Sequence, residues 1–289
     1  MYNNILLPFD GSEGAAEVLH HASELAHWAD ATIQILYVAD TTRDSVTVVD
    51  GKAIDALEQK GENIVEEAAK TLDTLGVPYS TDVIQGNPAP TIADYAERYD
   101  QDIVVMPTHG REGISRYLIG SVSEKVVRLS SVPVLTVRMQ PDEALNFPYE
   151  NILMPTDGSA AATHAAEHVL SLAASLDATV HVLSIIEEAS LGLDVRSTIS
   201  AEENEQAATD AVETVVSEAN THGVTNTVRH IQHGTPVKEI LSYIESNDID
   251  AVGMGTTGKR STDRILLGSV AEKTVRSAPV PVITVADSS

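Results

Sequence analysis

Four small residues near the end of the chain have the types and spacing of an anion-binding site. Gly255 and Gly258 follow the apolar run Ala251–Met254, which predicts a short buried strand, and Gly268 and Ser269 follow after nine intervening residues. Glycine has no Cβ, so it permits positive φ and lets backbone N–H groups approach an anion closely. We therefore expect this segment to bind a phosphate group.

A helix is predicted directly after these residues. Ser269, Val270, Ala271 and Glu272 have the spacing of a capping box, and the helical pattern stops before Pro279. The first N–H groups of a helix lack partners within it and carry the positive end of its dipole. Donors from the glycines and from the helix would thus converge on one phosphate.

The local charge favours the same ligand. The whole chain has 43 Asp+Glu against 18 Lys+Arg, a formal net charge of −25. The segment 255–276 instead holds five basic residues, Lys259 among them, against two acidic ones. Such a basic patch in so acidic a protein suits an anion.

Other motifs overlap this segment or occur elsewhere. Gly253 begins a G-x-G-x-x-G string, but no strand with an acidic residue follows it, and a Walker A loop would need Ser or Thr at Arg260. The plainest alternative makes Ser269 an N-cap and the glycines turn residues. His164 and His168 form an H-x-x-E-H pattern on a predicted helix, but no third ligand is suggested, so we expect solvent-facing histidines and no metal site.

Composition bounds the class of protein. With 289 residues and 43% apolar content the chain is long enough for two domains, and the absence of cysteine excludes disulfides and thiolate chemistry. No signal-peptide pattern or membrane-length apolar run occurs, so we expect a cytoplasmic protein. The acidic surface would repel nucleic acid and anionic lipid. Few lysines beside so many carboxylates are typical of halophilic microbes, and a simply acidic mesophilic protein is the alternative.

An internal repeat determines the domain organisation. Residues 4–12 return as residues 151–159, an offset of 147, whereas Gly120 returns as Gly268, an offset of 148. The one-residue slip is predicted where Gln85 and the following glycine correspond to residues 232–234. A duplicated unit of about 140 residues is too large for a solenoid repeat. We predict domains at 1–139 and 150–289, joined by a linker at 140–149.

Each copy alternates strand and helix patterns. In the first copy the predicted strands are Asn4–Pro8, Thr32–Val38, Tyr79–Ile84, Ile103–Met106 and Val132–Val137, and the predicted helices are Ser12–Ala29, about Ala53–Leu75, Pro90–Arg98 and Ser121–Leu129. Five strands separated by helices predict an α/β fold with a doubly wound parallel sheet, Rossmann-like, in each domain. Ligands of such sheets bind beyond the carboxyl ends of the strands, where Asp10, Asp157 and the glycine segment would lie.

Two polar stretches, Asp40–Gly51 and Glu187–Ser200, adjoin that rim. We expect each to be irregular, either a mobile flap or an ordinary loop.

The spacing G-x2-G-x9-G-S resembles the ATP-binding signature of the universal stress protein family, here in a tandem two-domain form. The resemblance implies an adenine nucleotide alpha hydrolase-like fold, ATP as the ligand and Mg²⁺ as its companion. It implies contacts of an aspartate and a second-strand residue with the adenosine, and of the glycine loop with the phosphates. The residues that it implies are Pro155, Thr156, Asp157, Ile185, Met254, Gly255, Gly258, Lys259, Gly268, Ser269 and Val270 in the second copy, and Asp10, Val38, Gly110, Gly120 and Ser121 in the first.

The first copy departs from the signature. Pro107 stands where the second copy has Gly255, and Phe9 stands where it has Thr156. Proline donates no N–H and fixes φ near −65°. We therefore expect the second site to bind ATP more tightly.

Three functions remain open at this stage. The resemblance implies an ATP-binding stress protein whose ligand biases its conformation or partners, with no dedicated catalytic residue. The alternatives are a nucleotide-independent interaction protein of the same fold and a slow ATPase or adenylate-handling enzyme. We expect the copies to pair through Val134–Val137 and Val282–Val285 as a pseudo-dimer within the chain, and further association into homodimers is left open.

Overall fold

The structure, a computed structural model, consists of two units with similar elements. It describes residues 1–40, 52–108, 120–138, 145–187, 195–258 and 267–287. The first unit comprises Met1–Glu143 and the second Ala144–Ser289. The boundary between them falls within the stretch 140–149.

Within its described residues the first unit alternates strands with helices. In chain order these are β1 (Asn4–Pro8), α1 (Glu13–Ala29), β2 (Thr32–Asp40), α2 (Lys52–Leu75), β3 (Tyr79–Gly86), α3 (Pro88–Arg98), β4 (Ile103–Pro107), α4 (Ser121–Leu129) and β5 (Val134–Val137).

The second unit repeats this order in the part of the chain that the structure describes. Its elements are β6 (Asn151–Pro155), α5 (Ala160–Leu176), β7 (Thr179–Ile186), α6 (Val195–His222), β8 (Thr227–His233), α7 (Pro236–Ser246), β9 (Ala251–Gly255), α8 (Ser269–Ser277) and β10 (Val282–Val285).

The sheet of each unit is parallel and doubly wound, which confirms the predicted fold class. The strand order is β3-β2-β1-β4-β5 in the first unit and β8-β7-β6-β9-β10 in the second. The inner strands β4 and β9 are buried along their whole length. Helices on both faces explain why these strands read as continuous apolar runs rather than as alternating ones.

Serine and aspartate fix the ends of the first helix in both units. The hydroxyl oxygen of Ser12 accepts a hydrogen bond from the Ala15 N–H at 3.2 Å, and Ser159 caps α5 in the same way. The C-caps Asp30 and Asp177 have left-handed backbone, with φ of 54° and 55°. Both helices therefore begin and end at residues with suitable capping chemistry.

The strand register places the one-residue slip earlier than the sequence predicted. Leu36 of β2 pairs with Asp82 of β3, and Leu183 of β7 pairs with His230 of β8. The first strands of these pairs are 147 positions apart, but the second strands are already 148 apart. The predicted slip near Gln85 is therefore wrong.

The extra residue lies in the turn before the edge strand. Val77 and Val224 are still 147 positions apart, and each N–H bonds back into the preceding helix. Pro78 then leads into β3, whereas residues 225–226 lead into β8. A turn absorbs an insertion without changing which side chains face the core, whereas a strand does not.

The stretch Glu187–Ser200 is not irregular throughout. Helix α6 begins at Val195, so the expectation of a loop is wrong for residues 195–200, while 188–194 lie outside the described residues. Residues 41–51 of the other predicted flap also lie outside them. Among the described residues, no helix is both long and apolar enough to cross a membrane.

His21 of α1 is a histidine held in its neutral form by burial. It is 2% exposed, and burial lowers its pKa to about 4. Its Nδ1 lies 3.5 Å from Oε2 of Glu24, which would favour the charged form, but the Glu24 side chain is 53% exposed and its charge is screened by water. Burial therefore determines the direction of the shift.

We predict that His21 makes the first unit sensitive to acid. The pKa of His21 is lower in the folded state than its value near 6.5 in the unfolded state, so below pH 6.5 the unfolded state binds the proton more readily. The free energy of unfolding is therefore unaffected by His21 above pH 6.5 and falls by about 3 kcal/mol as the pH falls towards 4. Urea unfolding of wild type and His21→Leu at pH 7 and pH 4 measures this, and the variant should lose less stability on acidification. His20→Leu, at an exposed neighbour, should behave as wild type. Equal losses in wild type and His21→Leu would contradict the assignment.

Candidate nucleotide-binding site

The candidate site of the second unit lies where its strand order changes direction. From β6 the chain continues to β7 on one side, while β9 pairs with β6 on the other. The carboxyl ends of β6 and β9 are thus neighbours, and ligands of doubly wound sheets bind at such a position. Asp157 follows β6, and Gly258 follows β9.

The Asp-Gly-Ser turn after β6 is fixed by its own side chains. Oδ1 of Asp157 accepts a hydrogen bond from the Ser159 N–H at 3.0 Å, and Oγ1 of Thr156 accepts one from the Gly158 N–H at 3.2 Å. Gly158 has a φ of 69°, which a residue with a Cβ rarely adopts. The turn is therefore preorganised, with one carboxylate oxygen of Asp157 committed to it.

The other carboxylate oxygen of Asp157 faces the glycine loop. A Cβ built on Gly258 would lie 2.9 Å from Oδ2 of Asp157. Asp157 and Gly258 are 101 positions apart in sequence, so the fold brings together two residues that sequence analysis assigned to one ligand. A carboxylate here suits a hydroxyl or amino group, because it would repel a phosphate.

The far end of the glycine loop is anchored to the end of β9 by a backbone hydrogen bond. The Gly268 N–H donates to the Thr256 carbonyl oxygen at 2.7 Å, and the Thr256 N–H donates to Val285 of β10 at 3.0 Å. A Cβ on Gly268 would lie 3.1 Å from the same carbonyl oxygen. The predicted use of the Gly268 N–H as a phosphate donor is therefore wrong, because that donor is already engaged.

The first unit has the same anchor, which sequence analysis missed. The Gly120 N–H donates to the Thr108 carbonyl oxygen at 2.6 Å, and the Thr108 N–H donates to Val137 at 2.8 Å. Thr108 and Thr256 occupy equivalent positions of the repeat. The recurrence of threonine at this position is the sequence feature that could have predicted the anchor, although the hydrogen bonds use only backbone atoms.

Helix α8 begins one residue earlier than a capping box would place it. Its N-cap is Gly268, without a side-chain hydrogen bond, and Ser269 is its exposed first residue. Glu272 bonds to Arg276 Nη2 at 2.7 Å instead of returning to the helix start. The predicted capping box is wrong, and the first-turn N–H groups of Ser269 and Val270 have no acceptor within the helix.

Gly255 is the last residue of β9 and allows a close approach of α5. A Cβ on Gly255 would lie 2.7 Å from the carbonyl oxygen of Ala161. In the first unit the equivalent strand residue is Pro107, and the equivalent helix residue is Gly14. Glycine is thus on the strand in one unit and on the helix in the other, so the pair keeps the helix close to the strand.

A second pair follows the same rule about two turns further along the helix. A Cβ on Gly253 would overlap Cγ2 of Val169, and the equivalent residues of the first unit are Val105 on the strand and Ala22 on the helix. Gly253 therefore meets a packing requirement within β9, which accounts for the G-x-G-x-x-G string without a dinucleotide.

The remaining predicted residues differ in exposure. Thr156 and Met254 are buried, while Pro155 and Ile185 are half-buried at the carboxyl ends of β6 and β7, so both leave some apolar surface at the rim. Lys259 lies outside the described residues.

In the first unit the equivalent residues have the same local roles. Asp10 Oδ1 accepts the Ser12 N–H at 3.0 Å, and Val38 is half-buried. Gly120 is the N-cap residue of α4 and makes no side-chain capping hydrogen bond, and Ser121 is the first residue of the helix. Gly110 lies outside the described residues.

The H-x-x-E-H pattern forms no metal centre in the described part of the chain. His164 Nδ1 lies 3.6 Å from Glu167 Oε2, and no described group of three or more His, Asp or Glu residues could hold a metal ion. His164 and His168 are half-buried rather than solvent-facing. Burial, and secondarily the charge of His164, lowers the pKa of His168 to about 4.

The doubly wound sheet, with the start of α8 and the Asp157 carboxylate at one rim, places the chain among the α/β proteins with a Rossmann-like fold. The universal stress protein family model matches residues 1–138 and 148–286, so the chain belongs to that family as a tandem of two domains.

Relatives match over one domain at a time. A universal stress protein of Methanocaldococcus jannaschii is 32% identical over 141 residues, covering 48% of this chain and 83% of the relative. One from Bacillus subtilis is 34% identical over 148 residues, covering 48% of this chain and 100% of the relative. The crystal structure of a universal stress protein from Archaeoglobus fulgidus covers 99% of both chains, with a TM-score of 0.75 and 26% identity.

We predict that Gly255→Ala destabilises the second unit by about 1–3 kcal/mol, because the new Cβ would press on the backbone of α5. Gly258→Ala is the matched control and should cost less, since the new Cβ would meet only the Oδ2 end of the Asp157 side chain, which needs to shift by a few tenths of an ångström, and no backbone atom. Urea unfolding measures both.

The glycine exchange between units supplies a second check. Combining Gly255→Ala with Ala161→Gly removes the 3.2 Å contact with the Ala161 Cβ but leaves the contact with the Ala161 carbonyl oxygen, so the pair should cost somewhat less than the sum of the single changes. Strictly additive effects would contradict the packing role of Gly255.

Proposed function

We propose that the second domain binds ATP at the carboxyl ends of β6, β7 and β9, and that the first domain binds it less tightly. The observation that carries the proposal is the position of the Asp157 carboxylate opposite Gly258, at one end of a loop whose other end is the uncapped start of α8. The Asp157 carboxylate can accept a hydrogen bond from a nucleoside, and the backbone N–H groups at the start of α8 can donate hydrogen bonds to the phosphates joined to it. Membership of the universal stress protein family supports the same ligand.

The phosphates lie against backbone N–H groups at the start of α8. Ser269 and Val270 supply first-turn amides, and Ser269 adds an exposed hydroxyl. Gly258 supplies a further amide, and Lys259 supplies a positive charge. The helix dipole adds to the attraction for the negative ligand. Gly255 is the remaining predicted amide donor, and its packing against Ala161 places it at the base of this loop.

The adenosine lies on the other side of the loop. Asp157 accepts a hydrogen bond from a ribose hydroxyl and disfavours the reverse orientation, which would bring phosphate beside a carboxylate. Ile185 contributes backbone groups to adenine and apolar contact from its half-buried side chain. Pro155 and Met254 complete the apolar side, as the family signature implies.

Mg²⁺ accompanies the triphosphate. This ion prefers octahedral oxygen coordination and keeps several waters, so phosphate oxygens and water supply most of its ligands. The bound nucleotide biases the conformation or the partners of the protein through its differential affinity for two states.

The first domain is the weaker site. Pro107 stands at the position equivalent to Gly255, and it donates no N–H. Phe9 replaces Thr156, so the turn that carries Asp10 lacks the hydroxyl that bonds to Gly158 in the second domain. A less ordered turn costs more entropy when the ligand binds.

We predict that Gly258→Val in the full chain lowers ATP affinity at the stronger site by about tenfold or more, the equivalent of one charge-assisted hydrogen bond. Gly110→Val, the matching change in the first domain, should leave the stronger site unchanged. Calorimetric titration of ATP with Mg²⁺ measures both, and urea unfolding confirms that the variants fold. Unchanged affinity in folded Gly258→Val, or two wild-type sites of equal affinity, would contradict the corresponding part of the proposal.

The alternatives give different results in the same assays. A nucleotide-independent interaction protein would bind no ATP at any salt concentration and would release no nucleotide on denaturation. Phosphate release faster than a few turnovers per minute would instead support an enzyme.

A further inference from the structure

A groove runs between helix α2 and the edge strand β3 of the first domain. Glu62, Val65 and Glu66 of α2 and Thr81 and Val83 of β3 are among its lining residues, and we call it the edge groove. Its volume is about 510 Å³. Within its unit β3 pairs only with β2 and is an edge strand. The backbone N–H and C=O groups of every second residue of β3 therefore point away from β2.

The second domain has the equivalent groove between α6 and β8. Its lining includes Val212 and Glu213 of α6 and Arg229 and Ile231 of β8, and its volume is about 260 Å³. Within it, Arg229 Nε lies 2.9 Å from Glu213 Oε1. The Arg229 guanidinium thus lines this groove and pairs with a carboxylate of the helix, and the two side chains are 52% and 56% exposed.

The register determines which residues correspond. Glu66 of α2 corresponds to Glu213, 147 positions later, and Thr81 of β3 corresponds to Arg229, 148 positions later. The first domain therefore keeps the carboxylate but has a short neutral side chain where the second domain has its arginine. The larger volume of the edge groove is consistent with this exchange.

Two carboxylates that α2 contributes to the edge groove, those of Glu62 and Glu66, have exposed partners among the described residues. Lys70 Nζ lies 3.0 Å from Glu66 Oε1, one helical turn away, but these side chains are 71% and 63% exposed. Glu62 accepts a hydrogen bond from the exposed Gln59 at 3.0 Å. Such exposed contacts contribute little and can be exchanged for a better partner.

We propose that the edge groove binds an arginine side chain from an extended segment of a partner protein, in the place that Arg229 occupies in the second domain. Arginine fits better than lysine, because its planar fork donates two parallel hydrogen bonds to a carboxylate. Its methylene stem can lie on the buried side chains of Val65 and Ala69. On β3 the Val83 N–H already donates to Asp82 Oδ1 at 3.0 Å. The backbone of Thr81, two residues earlier, is therefore the central part of this edge that the partner segment would contact.

The test exchanges the residues of the two grooves in the full chain. Thr81→Arg supplies the missing guanidinium, and Arg229→Thr removes it from the second domain. The probe is a fluorescein-labelled peptide of alternating valine and threonine with one central arginine, followed by anisotropy at low salt. A peptide with citrulline, the neutral isostere of arginine, is the control.

Wild type should bind one peptide. Thr81→Arg should bind the peptide at least about tenfold more weakly, and Arg229→Thr should gain a second binding site. Backbone amide shifts in the wild-type complex should centre on Thr81 and Val83. Attraction to the acidic surface in general would leave the affinity of Thr81→Arg at the wild-type value, because one charge changes little against a net −25.

Wild-type affinity in Thr81→Arg would overturn the proposal, and so would equal affinity of the wild type for the citrulline and arginine peptides. Thr81→Arg copies an arrangement that the chain already folds in its second domain, and urea unfolding checks this. Glu66→Gln, which removes the acceptor without adding bulk, should weaken binding as well, and wild-type affinity in this variant would also overturn the proposal. ATP affinity should be unchanged in all three variants, so the outcome is independent of the proposed nucleotide site.

Discussion

One backbone hydrogen bond in each domain fixes the geometry on which the candidate site depends. The Thr256 carbonyl accepts the Gly268 N–H, and the Thr108 carbonyl accepts the Gly120 N–H. Each threonine also donates its own N–H to the neighbouring last strand, so the start of the following helix is tied to the sheet. The loop between the two ends can vary in sequence without moving the helix start. A helix terminus held in this way presents its first-turn amides at the rim whatever the loop contains.

The duplication within the chain helps to separate residues kept for packing from residues kept for a ligand. Where α5 meets β9, glycine is on the strand at Gly255, and where α1 meets β4 it is on the helix at Gly14. Both arrangements leave room for a close contact of helix and strand, as protein interiors require. The departure at Pro107 is therefore first a packing exchange, and only its missing N–H bears on phosphate binding. Gly258 has no such structural reason, because its neighbour is the carboxylate of Asp157.

Most of the fold could be predicted from the sequence, because apolar runs, caps and the repeat agree with one another. The predictions failed where a distant contact overrides a local pattern. Ser269 and Glu272 have the spacing of a capping box, but the Gly268 amide is engaged by Thr256, and Glu272 bonds to Arg276. Similar short strings suggested a slip inside β3, whereas strand register places it in the preceding turn. The opposition of Asp157 and Gly258 could be expected from topology alone, since parallel strands end at one rim.

The two domains also differ in charge away from the rim. At the edge strand, Thr81 stands where the second domain has Arg229, and at α3 the hydroxyl of Tyr95 bonds to Asp82, whereas the equivalent Tyr243 bonds to His181. These exchanges preserve the packing of strand and helix while changing the charge that a partner would meet. Family membership alone does not account for these differences, because they lie at the edge strands and not at the rim where the nucleotide is proposed to bind. The divergence of the edges is better explained if the two domains contact different molecules, because specificity between partners depends on complementary charge more than on buried area.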